Sequence, residues 1–99
     1  MFLISAAGSG GTNRIVEGVN KEDFIGITND RYKFLASVLK KNYLVPIANQ
    51  EDLYIKKVNE IIKDEKITLF IPNSDREVFV VTKNIQKIDT NTFLPDLIL

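Results

Sequence analysis

Arginine is suited to gripping carboxylates and phosphates through two parallel hydrogen bonds. This chain has three arginines, each in a short polar cluster that follows an apolar run. Residues 2–6 lead into Gly8-Ser9-Gly10-Gly11-Thr12-Asn13-Arg14, and residues 24–27 into Thr28-Asn29-Asp30-Arg31. Residues 67–71 lead into Pro72-Asn73-Ser74-Asp75-Arg76-Glu77. All other basic residues are lysines, placed elsewhere. If the three runs are parallel strands of one sheet, the clusters emerge together at the strands' carboxyl ends. Open α/β sheets bind ligands at that edge.

Turn and cap chemistry competes for the same residues. Gly8, Gly10 and Gly11 allow a sharp turn off the first strand and expose amides at a helix start. Such a start is worth ~0.3–1 kcal/mol to a nearby anion. The dinucleotide fingerprint G-x-G-x-x-G has Asn13 at its third glycine position, and no Gly-Lys pair follows for a phosphate loop. From the motif alone, a tight turn without a ligand is the slightly better reading. Asp30 stands about where a ribose-binding acid would lie in a dinucleotide fold, but a helix cap is the preferred role. Arg31 reads either as a bidentate ligand contact or as a solvated helix start. In the third cluster Pro72 ends the strand, Ser74 or Asp75 caps, and Glu77 closes a capping box. Asn73, Asp75 and Arg76 stay free for a ligand. Neither Asp75 nor Glu77 gives a sign of a raised pKa or of catalytic-pair spacing. What capping leaves is Gly10 to Arg14, Arg31 and Asn73 to Arg76, one wall of a cleft.

The elements that must carry these clusters follow from periodicity. Ninety-nine residues make one small domain, hiding roughly 65% of its unfolded surface. Formal charge is zero, so the basic excess that nucleic-acid binders use is lacking. Without cysteine or histidine, disulfides, thiolate metal sites, cysteine nucleophiles and the usual near-neutral acid–base group are excluded. The opening Met1-Phe2-Leu3-Ile4-Ser5 has no basic flank and is too short an apolar stretch for a signal or membrane helix. The expectation is a soluble cytoplasmic domain without nucleic-acid or membrane partners.

Ile15, Val16 and Val19 recur at helical spacing over residues 11–20. Residues 23–28 read as a second strand, where Gly26 marks a close backbone approach. After Asp30 a helix presents Phe34, Leu35, Val38 and Leu39. Residues 43–45 form a third strand stopped by Pro46. Asn49 starts the longest helix, to about Asp64, with Tyr54, Ile55, Val58, Ile61 and Ile62 as its core stripe. Residues 67–71 form a fourth strand, apolar throughout as a strand covered on both faces should be. The segment after it has strand propensity in Val78-Phe79-Val80-Val81. The capping box and the spacing of Val78, Val81, Ile85 and Ile88 decide for helix. Residues 92–94 suggest a short fifth strand, and the apolar ending at residues 96–99 suggests a cut through a longer protein. Strand–helix alternation gives an α/β fold: a three-layer αβα open parallel sheet of four to five strands, order 3-2-1-4-5.

Taken in order, Gly8-Ser9-Gly10-Gly11, Gly26-Ile27-Thr28-Asn29-Asp30, Tyr43-Leu44-Val45-Pro46 and Ile71-Pro72-Asn73-Ser74-Asp75-Arg76-Glu77 resemble a known domain. It is the N-terminal pre-ATP-grasp domain, biotin-carboxylase-like, of ATP-grasp ligases similar to the carbamoyl-phosphate synthase large chain. The resemblance covers essentially the whole chain. It implies a Rossmann-like domain that is not catalytic alone and forms one wall of a small-molecule substrate site. That wall falls on Gly8 to Thr12, Asp30 and Arg31, and Asn73 to Glu77. It further implies ATP-grasp lobes, on the same or a companion chain, that hold ATP and magnesium and activate a carboxylate as an acyl phosphate. This chain itself would hold no cofactor, and a homodimer is a further partner option. The alternatives are a nucleotide- or dinucleotide-binding sensor module and a ligand-free interaction domain.

Overall fold

A computed structural model of the chain describes residues 1–94. Strands β1 (Phe2–Ile4), β2 (Phe24–Thr28), β3 (Asn42–Leu44), β4 (Leu69–Ile71) and β5 (Asn91–Thr92) alternate with helices α1 (Gly10–Glu17), α2 (Arg31–Ala36), α3 (Glu51–Asp64) and α4 (Asp75–Lys83). All pairings are parallel and the strand order is β3-β2-β1-β4-β5, as the sequence predicts. The apolar ending at residues 96–99 lies outside the described residues.

Alternation along the central strand divides the core in two. Leu3 faces one layer with Ile25, Ile27 and Phe70, where the predicted stripe of α3 packs with Val80 and Val81 of α4. Ile4 faces the other layer with Val16 of α1, Phe24 and Leu39. The Phe2 and Phe24 rings meet edge to face, centroids 5.3 Å apart. Every residue of β2 is buried, as expected of an interior strand between helical layers. A Cβ on Gly26 would overlap the Asn42 side-chain oxygen and lie 2.7 Å from Ala7 Cβ. The close backbone approach expected at that strand glycine is therefore corrected: side chains, not backbone, crowd it.

Helix four forms as the sequence predicts, with the Ser74 half of the capping box made and Glu77 bonded to the Ser74 hydroxyl instead of its backbone N–H. Ser74 is its N-cap and its Oγ accepts from the Glu77 N–H (3.3 Å). Two apolar faces depart from expectation. Of the apolar residues expected on the first helix only Val16 is buried, while Ile15 and Val19, the latter beyond the end of α1, are about half exposed. Helix α2 ends at Ala36, so Val38 and Leu39 cannot share a helical face with Phe34, and Leu35 points to solvent. The early stop has a physical cause. The Asn13 side chain donates to the Ala36 carbonyl (3.2 Å) and accepts from the Val38 N–H (3.4 Å). Ser37 Oγ accepts from the Leu39 N–H (3.1 Å). Side chains thus satisfy backbone groups that another helical turn would have used.

Among the described residues, no helix is long and apolar enough to cross a membrane.

Candidate functional site

All three arginine-bearing clusters emerge at the carboxyl edge of the sheet, because every strand is parallel. The connections of β1 and β4 leave toward opposite layers, α1 toward one and α4 toward the other. This is the switch point at which open α/β sheets form a ligand crevice.

Here that crevice is stitched shut. The Ser5 N–H donates to the Ile71 carbonyl (3.0 Å), and Ser5 Oγ accepts from the Asn73 N–H (2.6 Å). Thr12 Oγ1 donates to the Ser5 carbonyl (3.0 Å) and accepts from Asn73 Nδ2 (2.9 Å). Thr12 Oγ1 and the two amide donors of Asn73 thereby join the first and third clusters. Both residues belong to the substrate wall expected from sequence. Asn13 is likewise committed to the end of α2.

The glycine turn is also explained by packing. Gly8 has φ +86°, and a Cβ there would overlap the Lys33 backbone carbonyl. Ala6 just before it is left-handed as well, at φ 55°, a conformation that costs about 1–2 kcal/mol outside glycine. Ser9 caps α1, its Oγ accepting from the Thr12 N–H (3.2 Å). Gly10 and Gly11 are exposed, with open space where a Cβ would stand. The tightest glycine therefore serves the contact with α2.

Two adjoining depressions stay open at this edge. The larger, about 270 Å³, is walled by Val45, Pro46, Ile47, Ala48 and Asn49 of the β3–α3 loop and by Tyr54. Asn29, Ser74, Arg76 and Glu77 complete it. The smaller, about 220 Å³, lies over Ala6, Ala7, Ser9, Thr28, Asn29, Asp30 and Lys33, and shares Ser74 and Glu77. Of the predicted site residues, Ser9, Asp30, Ser74, Arg76 and Glu77 line one or both. Gly8, Gly10, Gly11, Thr12, Asn13, Arg14, Arg31, Asn73 and Asp75 line neither. Asp30 also caps α2, its Oδ1 accepting from the N–H groups of Tyr32 (2.8 Å) and Lys33 (3.3 Å).

Glu77 is the centre of this edge. Its Oε2 accepts from the Tyr54 hydroxyl (2.5 Å) and its Oε1 from Ser74 Oγ (2.9 Å). Burial pushes its carboxyl above the ordinary range, against the opposing pull of the Tyr54, Ser74 and Ser5 hydroxyls. The sequence reading that neither acid of this cluster has a raised pKa is corrected for Glu77. The Tyr54 hydroxyl is pushed up as well, first by burial and then by the Glu77 charge. Arg76 is exposed and donates to Asn49 Oδ1 across the mouth of the larger depression.

Sequence reasoning missed the whole β3–α3 loop and Tyr54. The loop carries no arginine, so a search anchored on arginine passed over it. Its place was nevertheless implied by strand three ending at Pro46. Tyr54 was read as core, which it is, at 1% exposed. One signal was available: a buried tyrosine hydroxyl in an aliphatic stripe needs a partner.

Among the described residues there is no group of three or more acidic or other ligating side chains that could hold a metal ion. Comparison with protein-family models, with curated proteins and with solved structures yields no match.

Proposed function

We propose that this chain is the substrate-side N-terminal domain of an ATP-grasp ligase, one wall of a site that ATP-binding lobes complete. The observation that carries the reading is a coincidence of place. The segments behind the resemblance to the carbamoyl-phosphate synthase large chain supply the lining of the two depressions. Asn29 and Asp30 come from one, Val45 and Pro46 from another, Ser9 from a third, and Ser74, Arg76 and Glu77 from the last. Sequence likeness and open surface converge on one edge of the sheet.

ATP and magnesium belong to the lobes in this reading, and ATP supplies the phosphoryl group that activates a carboxylate. The work of this chain is to bind and orient. Arg76 offers donors at the rim, Glu77 a carboxyl held in place by Tyr54 and Ser74, and the loop of Val45 to Ala48 an apolar wall. The lobes, on the same or a companion chain, would cover the open side and exclude water. A cytoplasmic setting suits the reaction, since ATP is available there and the chain has no cysteine to oxidise.

The test is carboxylate-dependent release of ADP by the protein that joins this domain to its lobes. Arg76→Ala is expected to raise KM for the carboxylate or amine substrate, while Arg14→Ala and Arg31→Ala leave it unchanged. No carboxylate-dependent ADP release across a broad substrate panel would refute the reading. Tight binding of NAD, NADP or AMP to the 99-residue chain would favour a nucleotide sensor instead. The stitched crevice of Ser5, Thr12 and Asn73 speaks against that outcome.

A further inference from the structure

The larger depression pairs opposite charges above an apolar wall. Glu77 brings a carboxylate whose two oxygens accept from Tyr54 and Ser74. A carboxylate has about four lone-pair sites, so it can accept more. Arg76 brings a guanidinium with one N–H given to Asn49; of about five such donors, most are unspent. The remaining lining is largely apolar: Val45, Pro46, Ile47 and Ala48. A volume of about 270 Å³ holds roughly nine water molecules at about 30 Å³ each, room enough for a small organic molecule.

Each simpler ligand leaves something unmatched. An aliphatic carboxylate would satisfy Arg76 but set a second negative charge near Glu77. An aliphatic amine would satisfy Glu77 and leave Arg76 without an anion. A molecule with both charges and an apolar tail uses every wall. We propose that the larger depression binds a free α-amino acid with a mid-sized apolar side chain. Its ammonium lies on Glu77, its carboxylate on Arg76, and its side chain against Val45 to Ala48. The inference rests on the reading above in taking this sheet edge as the substrate site, and it names the substrate class.

Amide NMR titration of the chain with L-leucine tests it, with isoamylamine and isocaproate as the analogues lacking the carboxylate and the amine. Leucine is expected to shift the amides of Asn29, of residues 47–49 and of residues 74–77, with Kd on the order of 1 mM at an open site. Each analogue should bind about tenfold more weakly or worse, the fold-change of one lost charged hydrogen bond. Arg76→Gln, on an exposed side chain, should reduce leucine to the level of isoamylamine. Glu77→Gln should reduce it to the level of isocaproate; if that variant fails to fold, Arg76→Gln decides alone. Leucine binding no tighter than either analogue, or shifting amides elsewhere, overturns the inference. Absent leucine shifts beside carboxylate-dependent ADP release would sink the amino-acid assignment and spare the ligase reading. Leucine shifts without such ADP release would do the reverse.

Discussion

Replacing Tyr54 with phenylalanine removes one hydroxyl and almost nothing else, and it isolates the bond on which the site's charge depends. The ring is fully buried, and its hydroxyl donates to Glu77 Oε2 at 2.5 Å. Because burial outweighs the hydroxyl donors, the folded Glu77 carboxyl keeps its proton to higher pH than an unfolded glutamate does. Ionising it in place therefore costs stability as pH rises through that raised value. Tyr54 offsets part of the cost, so its loss should raise the carboxyl further. At a pH above that raised value, where Glu77 is ionised, the variant should lose about 1.5–3 kcal/mol, the worth of a hydrogen bond to a charged group. At about pH 4 Glu77 holds its proton, and the loss should fall to the neutral-bond range of about 0.5–1.5 kcal/mol. For a domain of this size each kcal/mol moves Tm by roughly 4–8 °C. Urea unfolding at both pH values, followed by far-ultraviolet circular dichroism with wild type alongside, measures the difference. An equal deficit at the two pH values would refute the reasoning, as would a deficit under about 0.5 kcal/mol at the higher pH. Either result would mean that solvent, not Tyr54, satisfies the carboxylate.

Other substitutions separate scaffold from site. Gly8→Ala meets the Lys33 backbone in a left-handed conformation and should cost at least about 2 kcal/mol in urea unfolding. Gly10→Ala, in open space on the first turn of α1, should instead be neutral or stabilising by up to about 1 kcal/mol. Asn13→Ala should cost about 1 kcal/mol by releasing the end of α2; hydrogen exchange at Val38 would report it first. Asn13→Gly, which completes the dinucleotide fingerprint, should still show no NAD binding by calorimetry. Ser74→Ala removes both the cap of α4 and a donor to Glu77. It should lose about 1–2 kcal/mol by thermal unfolding.

The architecture was legible because its evidence is local and repeated. Apolar runs at strand length alternate with helical stripes, and the stripe of α3 is buried at all five predicted positions. Val78 to Val81 shows how two local signals compete. Strand propensity lost to the cap at Ser74, since a capped helix start satisfies backbone donors that a short strand there would leave bare. Where the reading failed, the cause lay outside the segment. Nothing within residues 31–39 announces that Asn13, more than 20 residues earlier, will take the Ala36 carbonyl. Ile85, expected on the α4 stripe, is exposed because that helix stops at Lys83 and a single 3-10 turn follows, Ile85–Lys87.

The site was legible as an edge but not as a set of residues, and the reason is competition for polar groups. Each arginine-bearing cluster holds more hydrogen-bonding atoms than its turn and cap require, so sequence alone cannot say which are left over. Folding resolves the excess by distance. Thr12 and Asn73 are 61 residues apart in sequence yet bond to each other, and Thr12 is buried beneath that pairing. Glu77, read in the sequence both as the closing member of a capping box and as part of the substrate wall, takes hydroxyls from Ser74 and Tyr54 and no backbone N–H, whereas Asp30 caps α2 through Oδ1 and also lines the smaller depression. Capping and ligand binding are therefore not exclusive for a carboxylate with two oxygens. Subtracting every capping residue from a candidate site discards the acids that a helix N-terminus already holds in place.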